Sequence, residues 1–233
     1  MLTILRRELN SYFTSAIGYI YLAVFYFFSG YFFQSVISIN STDLSSVFLS
    51  LFLVLMFIVP ILTMRLMSED MKLRTDQLLL TAPLSLSGLV YGKFLAALTL
   101  FAAGTGITLI YAVVLSAFQV MEWTVIVGNI LGLLLLGAAL ISIGLFISSL
   151  TENQVIAAVG GFAVMLMLMI MDAIAGSVPV AFLSELLYKI SFMTRYAPFT
   201  TGILNLSNVL YFLSVAVIFN FLTVRVLEKK RWS

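Results

Sequence analysis

Residues 125–150 read VIVGNILGLLLLGAALISIGLFISSL, an apolar run without one charged side chain. A helix needs about 20 apolar residues to cross the hydrocarbon layer, and this run exceeds that. Backbone N–H and C=O groups in lipid must be paired within the segment, so a continuous run of this length reads as a helix and not as a barrel strand. Five more such runs flank it, at about 17–37, 47–64, 94–118, 155–174 and 209–226. Of the 233 residues 62% are hydrophobic and 9% charged, where a soluble domain has about 25% charged. Mean hydropathy is +1.16. One buried core cannot absorb that excess, so most of the surface must face lipid. The expected fold is an all-α membrane protein, a single transmembrane domain over 1–233 with six transmembrane helices.

Composition removes several functions. The chain has no cysteine and no histidine, so thiolate chemistry, disulfides and the commonest metal ligand and general base are excluded. A net charge of +2 supports no nucleic-acid partner. Arg6 and Arg7 precede an apolar run too long for a cleaved signal, and no small-residue cleavage site follows it. The nearest approach to a phosphate loop, residues 88–94 (GLVYGKF), is one residue short between its glycines and has Phe94 where Ser or Thr should hold magnesium. Residues 69–74 (EDMKLR) resemble the acidic pair and arginine of intramembrane CAAX-type proteases, but the histidines of that metal site are missing. Asp172 has no second intramembrane acid with which to form a carboxylate dyad. A hydrolase is not supported.

The basic residues orient the chain. Arg6, Arg7, Arg65, Lys72, Arg74, Lys93, Arg225, Lys229, Lys230 and Arg231 fall on one side of six spans, and Lys189 and Arg195 on the other. By the positive-inside rule both termini and the polar segment 65–91 are expected to be cytoplasmic, and 175–208 extracytoplasmic. Residues 1–14 gather Leu2, Leu5, Leu9, Tyr12 and Phe13 on one helical face, as in a helix lying flat in the headgroup layer. In 65–91, Ser68 suits an N-cap, Glu69 and Asp70 fall in the first turn that follows, and Pro83 ends the segment. Within 175–208, Leu183, Leu186, Leu187 and Ile190 recur at helical spacing.

Inside the spans, Asp172 and Tyr26 are the candidates for a substrate path, with helix capping and interfacial packing as their plainer readings. Gly128, Gly132, Gly137 and Gly144 would let helices approach closely. Met165, Met167, Met169 and Met171 suit adaptable packing and not metal binding.

Several stretches together resemble ABC-2 type permeases, and most closely the permease of gliding-motility-type ABC transporters. Residues 6–13 (RRELNSYF) are similar to the R-R-E-x-x-S-Y-F start of that group, and 60–70 (PILTMRLMSED) to its P-x-L-T-M-R-x-x-x-E-E run. Residues 75–83 (TDQLLLTAP) resemble T-x-E-L-L-L-T-x-P, and 92–94 (GKF), 195–199 (RYAPF) and 230–232 (KRW) fit as well. Two departures stand out: Arg74 replaces a usual Gly, and Gln77 a usual Glu.

The resemblance implies an N-terminal elbow helix over 1–14, a cytoplasmic coupling helix after span two, and re-entrant or interfacial helices between spans five and six. It also implies a permease subunit, with no cofactor of its own, that exports its substrate on ATP and Mg bound by a separate cytoplasmic P-loop ATPase. Glu69, Asp70, Arg74, Thr75, Asp76, Leu78, Leu79 and Leu80 would make the ATPase contact. A second permease copy or homologue, an accessory extracytoplasmic subunit and the lipid of a bacterial-type inner membrane complete the implied surroundings. A non-transporting membrane anchor is the alternative, and a secondary transporter would need an ion site or internal repeat that the sequence does not display.

Overall fold

The computed structural model describes residues 1–39, 41, 43–74, 85–118 and 122–232, and of Trp232 only the backbone. Eleven helices make up these residues: α1 (Leu2–Thr14), α2 (Ala16–Ser38), α3 (Ser45–Thr63), α4 (Arg65–Lys72), α5 (Leu86–Thr105), α6 (Ile107–Ser116), α7 (Trp123–Ser149), α8 (Gln154–Ser177), α9 (Ala181–Ile190), α10 (Phe192–Thr200) and α11 (Leu206–Trp232). Six spans among them are long and apolar enough to cross a membrane, with α3–α4 and α5–α6 each counting as one.

The quoted run is the hub. α7 packs against α3, α5, α8, α10 and α11, and small residues make this possible. A Cβ on Gly132 would lie 2.5 Å from Phe199 Cβ, and one on Gly144 would lie 2.2 Å from Thr63 Oγ1. Both distances are closer than atoms can pack, so α10 and α3 reach the α7 backbone only because these positions lack a side chain. α3 and α7 are two-thirds buried over their most apolar windows, whereas α2, α8 and α11 are about one-fifth buried. The latter three expose Phe27, Val159 and Val217 among many others and form the outer, lipid-facing layer.

The segment 65–91 is not one connector. Span two continues through a slight break at Met64 into α4. Span three begins at Leu86, with Ser85 Oγ accepting from Gly88 N–H at 3.2 Å. Ser68 is therefore not an N-cap. It lies inside α4, donating its hydroxyl to Met64 O. The first-turn donors of α4 are met from a distance: Ser148 Oγ on α7 accepts from Met67 N–H and Ser68 N–H, each at 3.1 Å. The same hydroxyl donates to Met64 O at 2.9 Å, which fills a serine's capacity and pins α4 to the hub.

The segment 175–208 likewise consists of helix ends and two short helices. α9 buries none of its residues and rests on α8, whereas α10 inserts Phe192, Tyr196 and Phe199 into the bundle. Gly202 ends α10 at φ +77, its N–H donating to Phe199 O at 3.0 Å. This left-handed cap is one that glycine adopts without strain.

Candidate functional site

Four charged side chains from three helices meet where α1 crosses the start of α5. Lys93 lies two turns into α5 and is 2% exposed. Its Nζ reaches Asp70 Oδ2 of α4 at 2.6 Å and Glu8 Oε1 of α1 at 3.0 Å. Arg7 Nη2 closes the set, at 2.6 Å from Glu8 Oε1 and 3.4 Å from Asp70 Oδ2. Among the described residues the buried lysine thus meets two carboxylates, as its burial requires. Partial burial alone lowers the Arg7 guanidinium, but the hydrogen bond and charge of Glu8, with Asp70 behind them, raise it above its ordinary value.

A second fastening lies beside the first. Arg65 donates to Ser11 Oγ and, at 2.9 Å, to Ser15 Oγ. It pairs with Glu69 at 3.1 Å and stands 5.6 Å from the centre of the Tyr12 ring. Burial, with the Glu8 charge, pushes the Tyr12 hydroxyl well up. It stays protonated and donates to Leu62 O at 3.3 Å. α1 is thus bound to the α3–α4 junction at one point and to α4 and α5 at another. Lys230 of α11 adds a third tie, donating to Ser149 O at 2.9 Å beside Met71. Both chain termini therefore lie at this end of the bundle.

The expected face of α1 packs in part. Tyr12 is buried and Leu5 and Leu9 pack against the core, while Leu2 and Phe13 are exposed. Ile4 and Glu8 join the inward side, Ile4 by burial and Glu8 through Lys93.

The sequence-predicted residues are dispersed. Glu69 pairs with Arg65 on its own helix, and Asp70 belongs to the four-charge cluster. Arg74 is exposed at φ +55 and closes α4, its N–H donating to Met71 O at 3.1 Å. That left-handed backbone gives a physical reason for a glycine in similar permeases. Thr75, Asp76, Gln77, Leu78, Leu79 and Leu80 lie outside the described residues. Asp172 Oδ1 accepts from Thr194 Oγ1 at 2.8 Å and joins α8 to α10. Tyr26 donates to Ala103 O at 3.4 Å and joins α2 to α5. No contact among the described residues brings Asp172 and Tyr26 together.

Sequence reasoning missed Arg7, Glu8, Arg65, Lys93 and Ser148. One signal was present: Lys93 sits in the first turns of an apolar span, where a charge requires an opposite partner, and the motif blocks 6–13 and 60–70 carry the acids. Among the described residues no group of three or more Asp or Glu is placed to hold a metal ion. The arrangement ties α1, α4 and α5 to one another, and Ser148 fastens α4 to α7.

The model of the family described as ABC-2 family transporter protein matches residues 61–232. This stretch contains Arg65, Asp70 and Lys93 and leaves Arg7 and Glu8 outside. No curated protein matches the chain.

Proposed function

Because this chain belongs to the ABC-2 family of transporter proteins, we propose that it exports its substrate on the energy of ATP hydrolysed by a separate cytoplasmic P-loop ATPase. It is a multi-pass membrane permease component of an ABC transporter. In this reading ATP and Mg reside on the partner, both termini are cytoplasmic, and the membrane is of the bacterial inner type. The distribution of basic residues supports that orientation. The gliding-motility-type assignment rests on the motif resemblances alone. A second copy or homologue would complete the translocation path, and the end carrying α9 and α10 would meet any accessory extracytoplasmic subunit.

The observation that carries the proposal is the convergence of α1, α4 and α5 on one ion cluster. A partner can shift a conformational equilibrium only if it contacts the two states differently. An ATPase pressing on α4 and the residues after it would push on Asp70, and Asp70 is held by Lys93 and Arg7. Displacement would then pass into span three and the elbow helix together. Asp70 becomes a positioning residue in this scheme, and the ATPase contact falls on Glu69, Arg74, Thr75, Asp76, Leu78, Leu79 and Leu80.

Affinity purification of the tagged chain from native membranes in mild detergent, with mass spectrometry of its partners, tests the function. A stoichiometric P-loop ATPase is expected. Isolation with non-ATPase partners only would replace transport by the role of a membrane anchor.

A further inference from the structure

Near the cluster, but on the lipid-facing side, α5 and α11 border a groove of about 410 Å³, within the roughly 300–1,000 Å³ of ligand-holding clefts. One stripe of α11 forms its length: Val217, Ile218, Phe221, Val224, Arg225 and Glu228. These recur at i, i+3, i+4 and i+7, so they share a face. Ser87 and Tyr91, one turn apart on α5, stand opposite. Polarity is graded along this stripe. Arg225 and Glu228 lie at the end that carries the termini. Val217 lies about 12 Å further in than Arg225 at the rise of an α-helix, and the wall there is apolar. The gradient follows the bilayer's own, from headgroup to acyl chain.

The mouth is charged on one side. Arg225 stands 4.8 Å over the Phe221 ring, which fixes its direction, and gives one nitrogen to Glu228 at 2.7 Å. Its side chain is 60% exposed, so the rest of the guanidinium fork faces outward. Lys229 and Arg231 beside it are exposed too, leaving a positive excess over Glu228. A helix of a second protein laid here would bury the Arg225–Glu228 pair away from water, at a desolvation cost. A lipid headgroup keeps it wet.

We propose that this groove holds a phospholipid with an anionic headgroup. Its phosphate sits on the outer edge of Arg225, next to the Ser87 and Tyr91 hydroxyls, and one acyl chain runs along Phe221 and Val224 to Val217 and Ile218. The site does not depend on what is transported or on the ATPase. It would let the charge of the membrane bear on span six, whose Lys230 is tied to Ser149 on the hub.

The test uses the full chain in proteoliposomes containing a trace of phosphatidylglycerol with a diazirine on one acyl chain. After illumination, adducts are mapped by mass spectrometry. They should concentrate on 217–224 and Tyr91, and unlabelled phosphatidylglycerol should displace them better than phosphatidylcholine does. Arg225→Gln should weaken capture about tenfold, the loss of one charge-assisted hydrogen bond. Val217→Trp should abolish the deep adducts with an unchanged melting temperature. Adducts spread evenly over α2, α8 and α11, or capture indifferent to Arg225→Gln, would overturn the proposal. So would a covalent protein dimer, in place of a lipid adduct, formed by a photoreactive residue at Ile218.

Discussion

At the end of the bundle that carries the termini, Lys93 is buried between two carboxylates from two other helices. At the opposite end Arg195 has neutral partners: Lys189 O at 3.0 Å, Asn208 Oδ1 at 3.1 Å, and the Tyr211 ring. Asp172 there accepts from a threonine hydroxyl, and the Glu185–Lys189 pair stands in the open on α9. The charged end joins helices that are distant in sequence, and these contacts at the other end join helices that are close in sequence. One end uses desolvated opposite charges, which bind only in a narrow geometry and penalise separation. The other pairs single charges with neutral groups at more exposed positions, where water can take the partner's place. Separating the helices costs more at the charged end than at the other.

The largest expected effect breaks this contrast at its centre. Lys93→Met takes the buried cation from between Glu8 and Asp70, and should cost about 3–5 kcal/mol in detergent thermal unfolding. Gly144→Ala near the charged end and Gly132→Ala near the other force a Cβ into Thr63 or Phe199, and should each cost about 1–3 kcal/mol. Similar losses would show that packing, unlike charge, is shared by the two ends. Arg195→Gln should cost about 1.5 kcal/mol, the low end for hydrogen bonds of a charged group. Arg74→Gly should act in the opposite sense and stabilise by about 1 kcal/mol, because it relieves a left-handed backbone at the end of α4.

The smallest effect concerns pH. The hydrogen bond from Lys189, then its charge, holds the Glu185 carboxyl below its ordinary value. A depressed folded-state value contributes stability above the unfolded one and loses it as pH falls through the folded one. Glu185 is fully exposed, so solvent screens the gain, and Glu185→Gln should leave the acid limb of the melting curve unchanged.

The spans were legible because lipid imposes a length and a composition that one chain segment displays by itself; residues 125–150 alone announce a membrane helix. The glycines of that run were legible as close-packing positions. Which helices they admit was not, since Phe199 and Thr63 lie far away in sequence. Helix ends were misplaced where the hydropathy step and the hydrogen-bond ladder disagree: α4 carries the ladder of span two past Thr63 into polar residues, and Ser148, not Ser68, satisfies its first donors. The motif residues were legible as a set but not as a site. That Asp70 meets Lys93 and Arg7 was not legible, because those partners sit on two other helices and no periodicity relates them.

A double-mutant cycle on Asp70→Asn and Lys93→Met, made in the assembled complex, tests the clamp most directly, with thermal stability and retention of the co-purifying ATPase measured together. Each single change should destabilise the protein, the pair should cost less than the sum by about 0.5–3 kcal/mol, and the ATPase should stay bound throughout. Additive losses, or an Asp70 variant that sheds the ATPase at undiminished stability, would return Asp70 to the docking surface and contradict the clamp.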